Sequence, residues 1–264
     1  MKPPAGGPSA FASVSRTVGG ALFVAGLVSG TRKQSAPRDT GLGVLLVPGF
    51  GCGDWSLLPA AAWLRHRGHR PAAARIGLNV GCTTELVARI ERRAEEHAEA
   101  TGDPVVLVGQ SRGGWLSRLV AVRRPDLVRA LVTAGSPVLD PLGVNPKVMR
   151  NARFLTRLSA FGLPGLLDDD CFTGECFRDN MSALRGPLPD GMPALAVYSR
   201  LDRVVPWQLC QDRSAECVEV RSGHTGMLLQ PEFYSALAPR LSRWARSRRE
   251  SSAPEWRCCH AAPG

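Results

Sequence analysis

The sequence lacks the cysteine patterns that usually hold metal ions. Its 264 residues include eight cysteines, but there is no C-x-x-C, and no cysteine–histidine group has zinc spacing. We therefore expect no metal and no organic cofactor, and we expect the thiols to be free and buried. Cys171 and Cys176 flank a Thr-Gly turn and could pair if oxidised, while Cys210 and Cys217 lie on either side of a charged loop.

Lysine is scarce, and the formal net charge of +10 comes almost entirely from arginine. The basic residues are spread along the chain, apart from one local run at residues 243–249. Such a charge can attract anionic partners such as nucleic acid or acidic lipid. Because no nucleic-acid-binding motif accompanies it, we expect no nucleic-acid partner and interpret the charge as a solvated basic face.

Long hydrophobic runs are also scarce. The apolar stretch at residues 18–30 falls short of the roughly 20 residues that a membrane-spanning helix needs. We interpret residues 1–40 as an N-terminal extension packed on the outside of the domain, which predicts a cytoplasmic protein. The alternative is a signal peptide and secretion. Residues 248–264 are interpreted as a flexible basic tail.

From residue 41 onward, short apolar runs alternate with helical periodicity. Strands are predicted at residues 43–47, 105–109 and 130–137. The alternation predicts an α/β fold, with a mostly parallel central sheet covered by helices on both faces. The domain is predicted to span residues 41–247. Residues 138–190 interrupt the pattern, and we interpret them as a short helical lid or cap.

Three further stretches have helical periodicity. The clearest covers residues 83–102, where apolar positions recur every four residues and Gly102 ends the helix. A helix is also predicted over residues 54–68, and the last one over residues 231–246.

One motif carries chemistry, the G-x-S-x-G formed by Gly109, Ser111 and Gly113. The motif alone is a weak signal in a chain with 28 glycines, but here it follows a buried strand and opens a helix. A nucleophile on such a tight turn sits in a strained backbone, and its neighbours two residues away approach strand and helix too closely for a Cβ. These features predict that Ser111 is a nucleophile.

A serine nucleophile needs a base, and the chain has only five histidines. His66, His69 and His97 are interpreted as surface or solvated residues, and His260 lies in the tail. His224 follows the last predicted strand, where the order of serine, acid and histidine places the base.

The acid of the triad would hold and orient the imidazole of His224. Asp202 follows a predicted strand and precedes His224, so it is the predicted acid; Asp140, after the strand that follows Ser111, is the competitor. The oxyanion hole needs two N–H donors, which we assign to the amides of Phe50 and Arg112.

The four segments LLVPGFG, VLVGQSRGG, VYSRLDRVVP and SGHTGM occur in that order, and residues 42–246 resemble the α/β-hydrolase superfamily, in particular bacterial lipases and esterases. The sequence departs from that family at Pro48, where histidine is usual, and at Gln110 and Arg112 beside the nucleophile. The Arg112 side chain would either select an anionic substrate or be solvated.

The resemblance implies a serine esterase that cleaves esters of medium or long acyl chains through an acyl-enzyme. The alternatives are a thioesterase or acyltransferase with the same triad, or a catalytically idle hydrolase fold that binds a lipophilic ligand. We expect a monomer with a small ester or lipid substrate and transient contact with lipid surfaces. Apolar side chains of the lid would line the acyl pocket or form the lid's own core: Leu139, Leu142, Val144, Phe154, Leu155, Leu158, Phe161, Leu163, Leu166 and Leu167.

Overall fold

The computed structural model describes residues 41–252. The predicted extension over residues 1–40, with its apolar stretch, and residues 253–264 of the predicted tail lie outside the described part. The location of the protein in the cell therefore stays a prediction. None of the described helices combines the length and the apolar character needed to cross a membrane.

Six parallel strands form one sheet in the order β2-β1-β3-β4-β5-β6. The strands are β1 (Gly43–Val47), β2 (Arg70–Ala73), β3 (Val105–Gln110), β4 (Val128–Ala134), β5 (Ala194–Tyr198) and β6 (Glu216–Glu219). The central strands β1 and β3 are apolar throughout and buried, as strands covered on both faces must be. The predicted mostly parallel sheet is confirmed. The strand predicted at residues 130–137 runs from Val128 to Ala134, and it ends where Gly135 adopts a positive φ of 56°.

Helices cover both faces of the sheet. They are α1 (Leu58–His66), α2 (Thr83–Thr101), α3 (Arg112–Arg123), α4 (Pro146–Ala160), α5 (Asp170–Thr173), α6 (Glu175–Arg185) and α7 (Pro231–Ser252). Helices α1 and α7 pack on one face, where Leu46 points, and α2, α3 and α6 pack on the other, where Leu45 and Val47 point. The alternation of side chains along β1 thus supplies both halves of the core.

The predicted helices form with small shifts at their ends. Helix α2 ends as predicted, because Gly102 adopts the left-handed conformation that caps a helix (φ 75°). The helix predicted over residues 54–68 begins as a 3-10 turn, Asp54–Leu57, before α1. Helix α7 continues to Ser252 rather than ending at residue 246.

The segment interpreted as a lid lies between β4 and β5 and carries α4, α5 and α6. Helix α6 packs against α2 and α3 through Met181 and Leu184. Helices α4 and α5 contribute to a small apolar cluster that includes Ala152, Leu167 and Cys171, and Phe50 and Cys82 of the rest of the domain pack against it. We refer to residues 138–190 as the cap.

Candidate active site

Ser111 occupies a strained turn between β3 and α3. Its φ of 51° and ψ of −121° are unusual for a residue with a side chain, and its N–H donates to the carbonyl oxygen of Ala134 at 2.8 Å. A Cβ at Gly109 would lie 2.4 Å from the carbonyl oxygen of Gly113, and a Cβ at Gly113 would lie 2.4 Å from that of Val47. Only glycine fits at these two positions, which is the physical basis of the G-x-S-x-G spacing.

The loop after β1 approaches the serine directly. A Cβ at Gly49 would lie 3.4 Å from the Cβ of Ser111, so the loop that carries Phe50 borders the nucleophile. Arg112 is the first residue of α3, whose unpaired amides and positive dipole end favour a developing negative charge nearby. Phe50 and Arg112 both line the same cavity as Ser111.

Asp202 and His224 form a buried pair. Nδ1 of His224 lies 2.6 Å from Oδ2 of Asp202, and the side chains are 10% and 1% exposed. The amides of Val204 and Val205 donate to Oδ1 of the same aspartate, at 2.8 and 3.0 Å. The loop after β5 therefore holds the carboxylate rigidly, and the carboxylate orients the imidazole.

Two contacts bring this pair to the end of the sheet where Ser111 lies. Nε2 of Gln110 donates to the carbonyl oxygen of His224 at 3.2 Å. The turn after β4 packs against the pair, because a Cβ at Gly135 would lie 3.3 Å from both Oδ2 of Asp202 and Nδ1 of His224. Ser111, Asp202 and His224 thus come from three loops that follow the parallel strands β3, β5 and β6.

The alternative candidates for the acid and the base have other surroundings. Asp140 is exposed, and its carboxylate accepts from the amide of Leu142 rather than from a histidine. His66 is exposed, as expected. His69 is partly exposed: its Nδ1 accepts from the amide of Leu42 at 3.3 Å, and burial together with the nearby charge of Arg67 lowers its pKa to about 4. His97 is half-buried and bonds the carbonyl oxygen of Arg70.

The sequence interpretation of the Arg112 side chain, as solvated or as a binding group for an anionic substrate, is wrong. The side chain neither faces solvent nor stands free to bind an anionic substrate, because it is 6% exposed and donates to the carbonyl oxygens of Asn79 and Gly81, both at 2.9 Å. Burial lowers its pKa to about 10, so it stays cationic at neutral pH. The aromatic rings of Phe50 and Trp115 flank it at 5.9 and 5.8 Å.

Asn79 is a part of the site that the sequence did not reveal. It is fully buried, and its Nδ2 donates to the carbonyl oxygen of Pro48 at 2.6 Å while its main-chain carbonyl oxygen accepts from Arg112. It therefore ties the loop of Phe50 to the start of α3. Its φ is 51°, a left-handed conformation that asparagine tolerates better than most residues, but no pattern in the sequence marks the position.

A cavity with an empty volume of about 690 Å³, partly open to solvent, begins at Ser111 and runs beneath the cap. Its walls are mostly apolar, and they include Trp115 of α3 and Phe177 of α6. Of the lid side chains predicted to line a pocket, Leu142, Val144 and Leu167 do so. Leu139, Phe154, Phe161 and Leu163 are exposed on the outside of the cap instead.

A parallel sheet with a strained serine turn between a strand and a helix is typical of hydrolases. We therefore compared the chain with models of known protein families. The model of the alpha/beta hydrolase family matches residues 44–237, more than half of the chain. The chain therefore belongs to the alpha/beta hydrolase family. Among curated proteins, none matches it significantly.

Solved structures of lipases and esterases share the fold. The mature lipase BlEst2 of Bacillus licheniformis is 14% identical with a TM-score of 0.60, over 78% of this chain and 94% of that one. The monoacylglycerol lipase of Paleococcus ferrophilus is 17% identical, with a TM-score of 0.52 over 78% and 96%. Carboxylesterase CesB of Bacillus subtilis is 17% identical, with a TM-score of 0.50 over 79% and 85%. At these identities the likeness establishes the fold alone.

Proposed function

We propose that the protein is a serine hydrolase of carboxylic esters, in which Ser111 is the nucleophile, His224 its base and Asp202 the residue that orients the base. The observation that carries the proposal is the strained turn of Ser111, whose neighbour Gln110 donates to the carbonyl oxygen of a histidine that a buried carboxylate holds at Nδ1. A strained elbow and a desolvated aspartate–histidine pair both cost stability, which a purely structural role would not explain.

In the proposed reaction, Oγ of Ser111 attacks the carbonyl carbon of the ester, and Nε2 of His224 takes the hydroxyl proton. The amides of Phe50 and Arg112 donate to the oxyanion of the tetrahedral intermediate. The carbon–oxygen bond to the alcohol then breaks, and His224 gives its proton to the departing alcohol. Water attacks the acyl-enzyme by the same route, which releases the acid and restores Ser111.

The cavity supports substrates with medium or long acyl chains. Its mostly apolar walls favour an alkyl chain over a charged group. Among the described residues, Arg112 is the only cation on the cavity wall. Its N–H groups donate to backbone carbonyl oxygens and to a threonine hydroxyl, not to the cavity.

The outside of the cap supports transient contact with a lipid surface. Helix α4 carries no acidic residue, and its exposed side chains include Arg150, Arg153 and Phe154. Phe161 follows the helix and is 84% exposed. Exposed aromatic and basic side chains on one helix suit an anionic interface. A monomeric state and the absence of a nucleic-acid partner stay predictions.

Labelling with a fluorophosphonate probe, followed by peptide mass spectrometry, tests the proposal without presupposing a substrate. We expect the wild-type peptide that contains Ser111 to be modified and the Ser111→Ala variant to be silent. Esters of increasing acyl length would then define the pocket, and thioester and acceptor-alcohol assays would distinguish a thioesterase or an acyltransferase. A folded wild type that stays unlabelled would favour the idle, ligand-binding alternative.

A further inference from the structure

Three cysteines that are distant in the sequence meet where the cap joins the hydrolase body. Cys82 immediately precedes α2 on the body, Cys171 lies in α5 and Cys176 in α6 of the cap. The sulfur atom of Cys176 lies 3.8 Å from that of Cys82 and 3.7 Å from that of Cys171. All three sulfur atoms lie within 4.8 Å of one another.

The spacing of the sulfur atoms suits a tetrahedral metal ion. Zinc binds thiolates at about 2.3 Å, and tetrahedral angles then separate two sulfur ligands by about 3.8 Å. A disulfide would instead need a bond of about 2.05 Å. The sequence spacing predicted no metal site because Cys82 and Cys171 are 89 positions apart, and only the fold brings them together.

Two polar side chains approach the sulfur of Cys176: Nδ2 of Asn180 donates to it at 3.5 Å, and Oγ1 of Thr84 lies 3.2 Å from it. Arg123 donates to Oδ1 of Asn180 at 3.0 Å, which turns Nδ2 of that amide toward Oγ1 of Thr84, also at 3.0 Å. The hydroxyl of Thr84 has then accepted one bond and has its hydrogen left to donate to the sulfur of Cys176, 3.2 Å away. A sulfur that accepts a hydrogen bond in this way is suited to the thiolate form that binds metals.

The charges around the cluster are consistent with a zinc thiolate centre. The buried guanidinium of Arg112 forms no ion pair with a carboxylate among residues 41–252, and it donates to Gly81 and Thr83, the residues on either side of Cys82. Three thiolates and one Zn²⁺ carry a net charge of −1, which the charge of Arg112 offsets. Without the metal, three thiolates would leave a large uncompensated charge in a mostly buried place.

The backbone around the cluster is held in place before any metal binds. The carboxylate of Asp168 accepts from the amide of Cys171 at 3.1 Å, and that of Asp170 accepts from the amide of Cys176 at 3.1 Å. Cys171 and Cys176 also line the cavity that opens to solvent, which provides a path for an ion to enter.

We propose that Cys82, Cys171 and Cys176 form a zinc site that fastens the cap to the hydrolase body. Three protein ligands leave the fourth tetrahedral position for water. The site contains no residue of the proposed triad, although Cys171 and Cys176 line the same cavity as Ser111, and its role is to hold α5 and α6 over that cavity. The proposal does not depend on ester hydrolysis by Ser111.

The test is metal content and zinc affinity of the full chain, kept reduced with a phosphine. Because Cys258 and Cys259 are adjacent in the sequence and could also bind zinc, both are replaced by serine in the background protein. We expect one equivalent of Zn²⁺ by elemental analysis, and thiolate charge-transfer absorption when Co²⁺ replaces it. Zinc should raise the melting temperature and slow proteolysis of the cap.

Matched variants separate a metal site from a packed thiol cluster. Cys82→Ser, Cys171→Ser and Cys176→Ser should each lose the bound equivalent, while Cys217→Ser, an exposed cysteine outside the cluster, should keep it. Thr84→Val should weaken zinc binding by about 10- to 100-fold, as changes next to a ligand commonly do. This variant removes no ligand and little volume, so it remains informative if a cysteine variant unfolds.

Three results would overturn the proposal. The first is a folded, reduced protein that takes up no Zn²⁺ at micromolar concentration. The second is a zinc equivalent that survives the triple replacement of Cys82, Cys171 and Cys176. The third is selective binding of Cu⁺, or a disulfide within the cluster in protein isolated under non-reducing conditions, without zinc uptake after reduction.

Discussion

Oδ2 of Asp202 lies 2.6 Å from Nδ1 of His224, across 22 residues of sequence. An ionised carboxylate can only accept hydrogen bonds, so Nδ1 must carry the proton. Nε2 is then unprotonated in the neutral imidazole and free to take a proton from a nucleophile. The other carboxylate oxygen is already occupied by two backbone amides, so Asp202 has one orientation available and transmits it to the ring.

Asp202→Asn should therefore reduce ester turnover by about 10³- to 10⁴-fold, because the amide would favour the wrong tautomer of His224. The control is Asp140→Asn, which removes the competing carboxylate on the surface and should change turnover less than about twofold. Both variants should keep the wild-type circular dichroism. Steady-state kinetics on one activated ester measures the turnover of both variants. A large loss of turnover in Asp140→Asn would show that Asp140, not Asp202, is the acid of the triad.

Gly113→Ala should destabilise the protein strongly, since its Cβ would lie 2.4 Å from backbone oxygens of Val47 and Pro48. Relieving that clash requires β1 and α3 to separate, so we expect a loss above about 3 kcal/mol in the free energy of unfolding. Gly223→Ala is the matched control: it has nothing within 4 Å of the added Cβ and an ordinary φ of −74°. Urea titration measures both, and equal stabilities would contradict the packing argument.

Asp212→Asn should also destabilise the protein, for an electrostatic reason. Asp212 and Arg118 form a buried ion pair with side chains 4% and 5% exposed, and Arg118 also donates to the carbonyl oxygens of Leu184 and Gly186 at the end of the cap. Loss of the carboxylate leaves a buried cation, which costs about 3–5 kcal/mol.

The control for that variant is Asp126→Asn, which removes an exposed ion pair with Arg124. Such a surface pair contributes at most about 1 kcal/mol. Denaturant unfolding of the two variants gives the comparison. A similar small loss for both would show that the buried pair contributes no more than a surface pair.

Acid should destabilise the fold through His69. Its pKa is about 4 in the folded state and about 6.5 when unfolded, so between these values the unfolded chain binds more protons. The free energy of unfolding should fall as the pH drops from 6.5 toward 4, by about 2–3 kcal/mol from this residue. His69→Asn keeps an acceptor for Leu42 but does not titrate, so it should flatten that part of the profile.

The exposed His66 supplies the control for the acid profile. His66→Asn should leave the slope between pH 4 and 6.5 as it is in the wild type. The measurement is urea unfolding at several pH values at constant ionic strength. A wild-type slope in His69→Asn would assign the acid sensitivity to other groups.

The outer face of α4 should bind anionic vesicles. Replacing Arg150, Arg153 and Arg157 with glutamine should weaken binding to phosphatidylglycerol-containing vesicles by roughly 100-fold at low salt, at about 1 kcal/mol per residue. Phe161→Ser should weaken it further at high salt, where only apolar insertion persists. Sedimentation with vesicles measures both effects.

A control with the same change in charge is the replacement of Arg65, Arg89 and Arg92, three exposed arginines away from the cap, with glutamine. If this variant loses as much binding as the α4 variant, the attraction comes from the overall charge rather than from the cap. Retention on heparin beyond that on vesicles would point to a polyanion partner instead.

Local patterns sufficed to predict most elements of the fold. The strand at residues 43–47 and the helix that Gly102 ends were predictable, because burial of an apolar run and a left-handed glycine cap are properties of neighbouring residues. The ends of β4 and α7 were not predictable from local patterns. Strand β4 ends before Gly135, which packs against the site, and α7 continues beyond its apolar positions. The sequence also did not predict that the helix at residues 54–68 begins as a 3-10 turn.

Sequence by itself determined the order of the motifs and the requirement for glycine around Ser111, because both follow from chain order and backbone sterics. Tertiary structure decided which aspartate meets His224, that Arg112 turns inward, that Asn79 joins two loops and that three cysteines converge. These are contacts across many residues, and their partners are chosen by the packing of the sheet and the cap. No local pattern encodes that choice, because the free energy of each contact depends on what else is buried beside it.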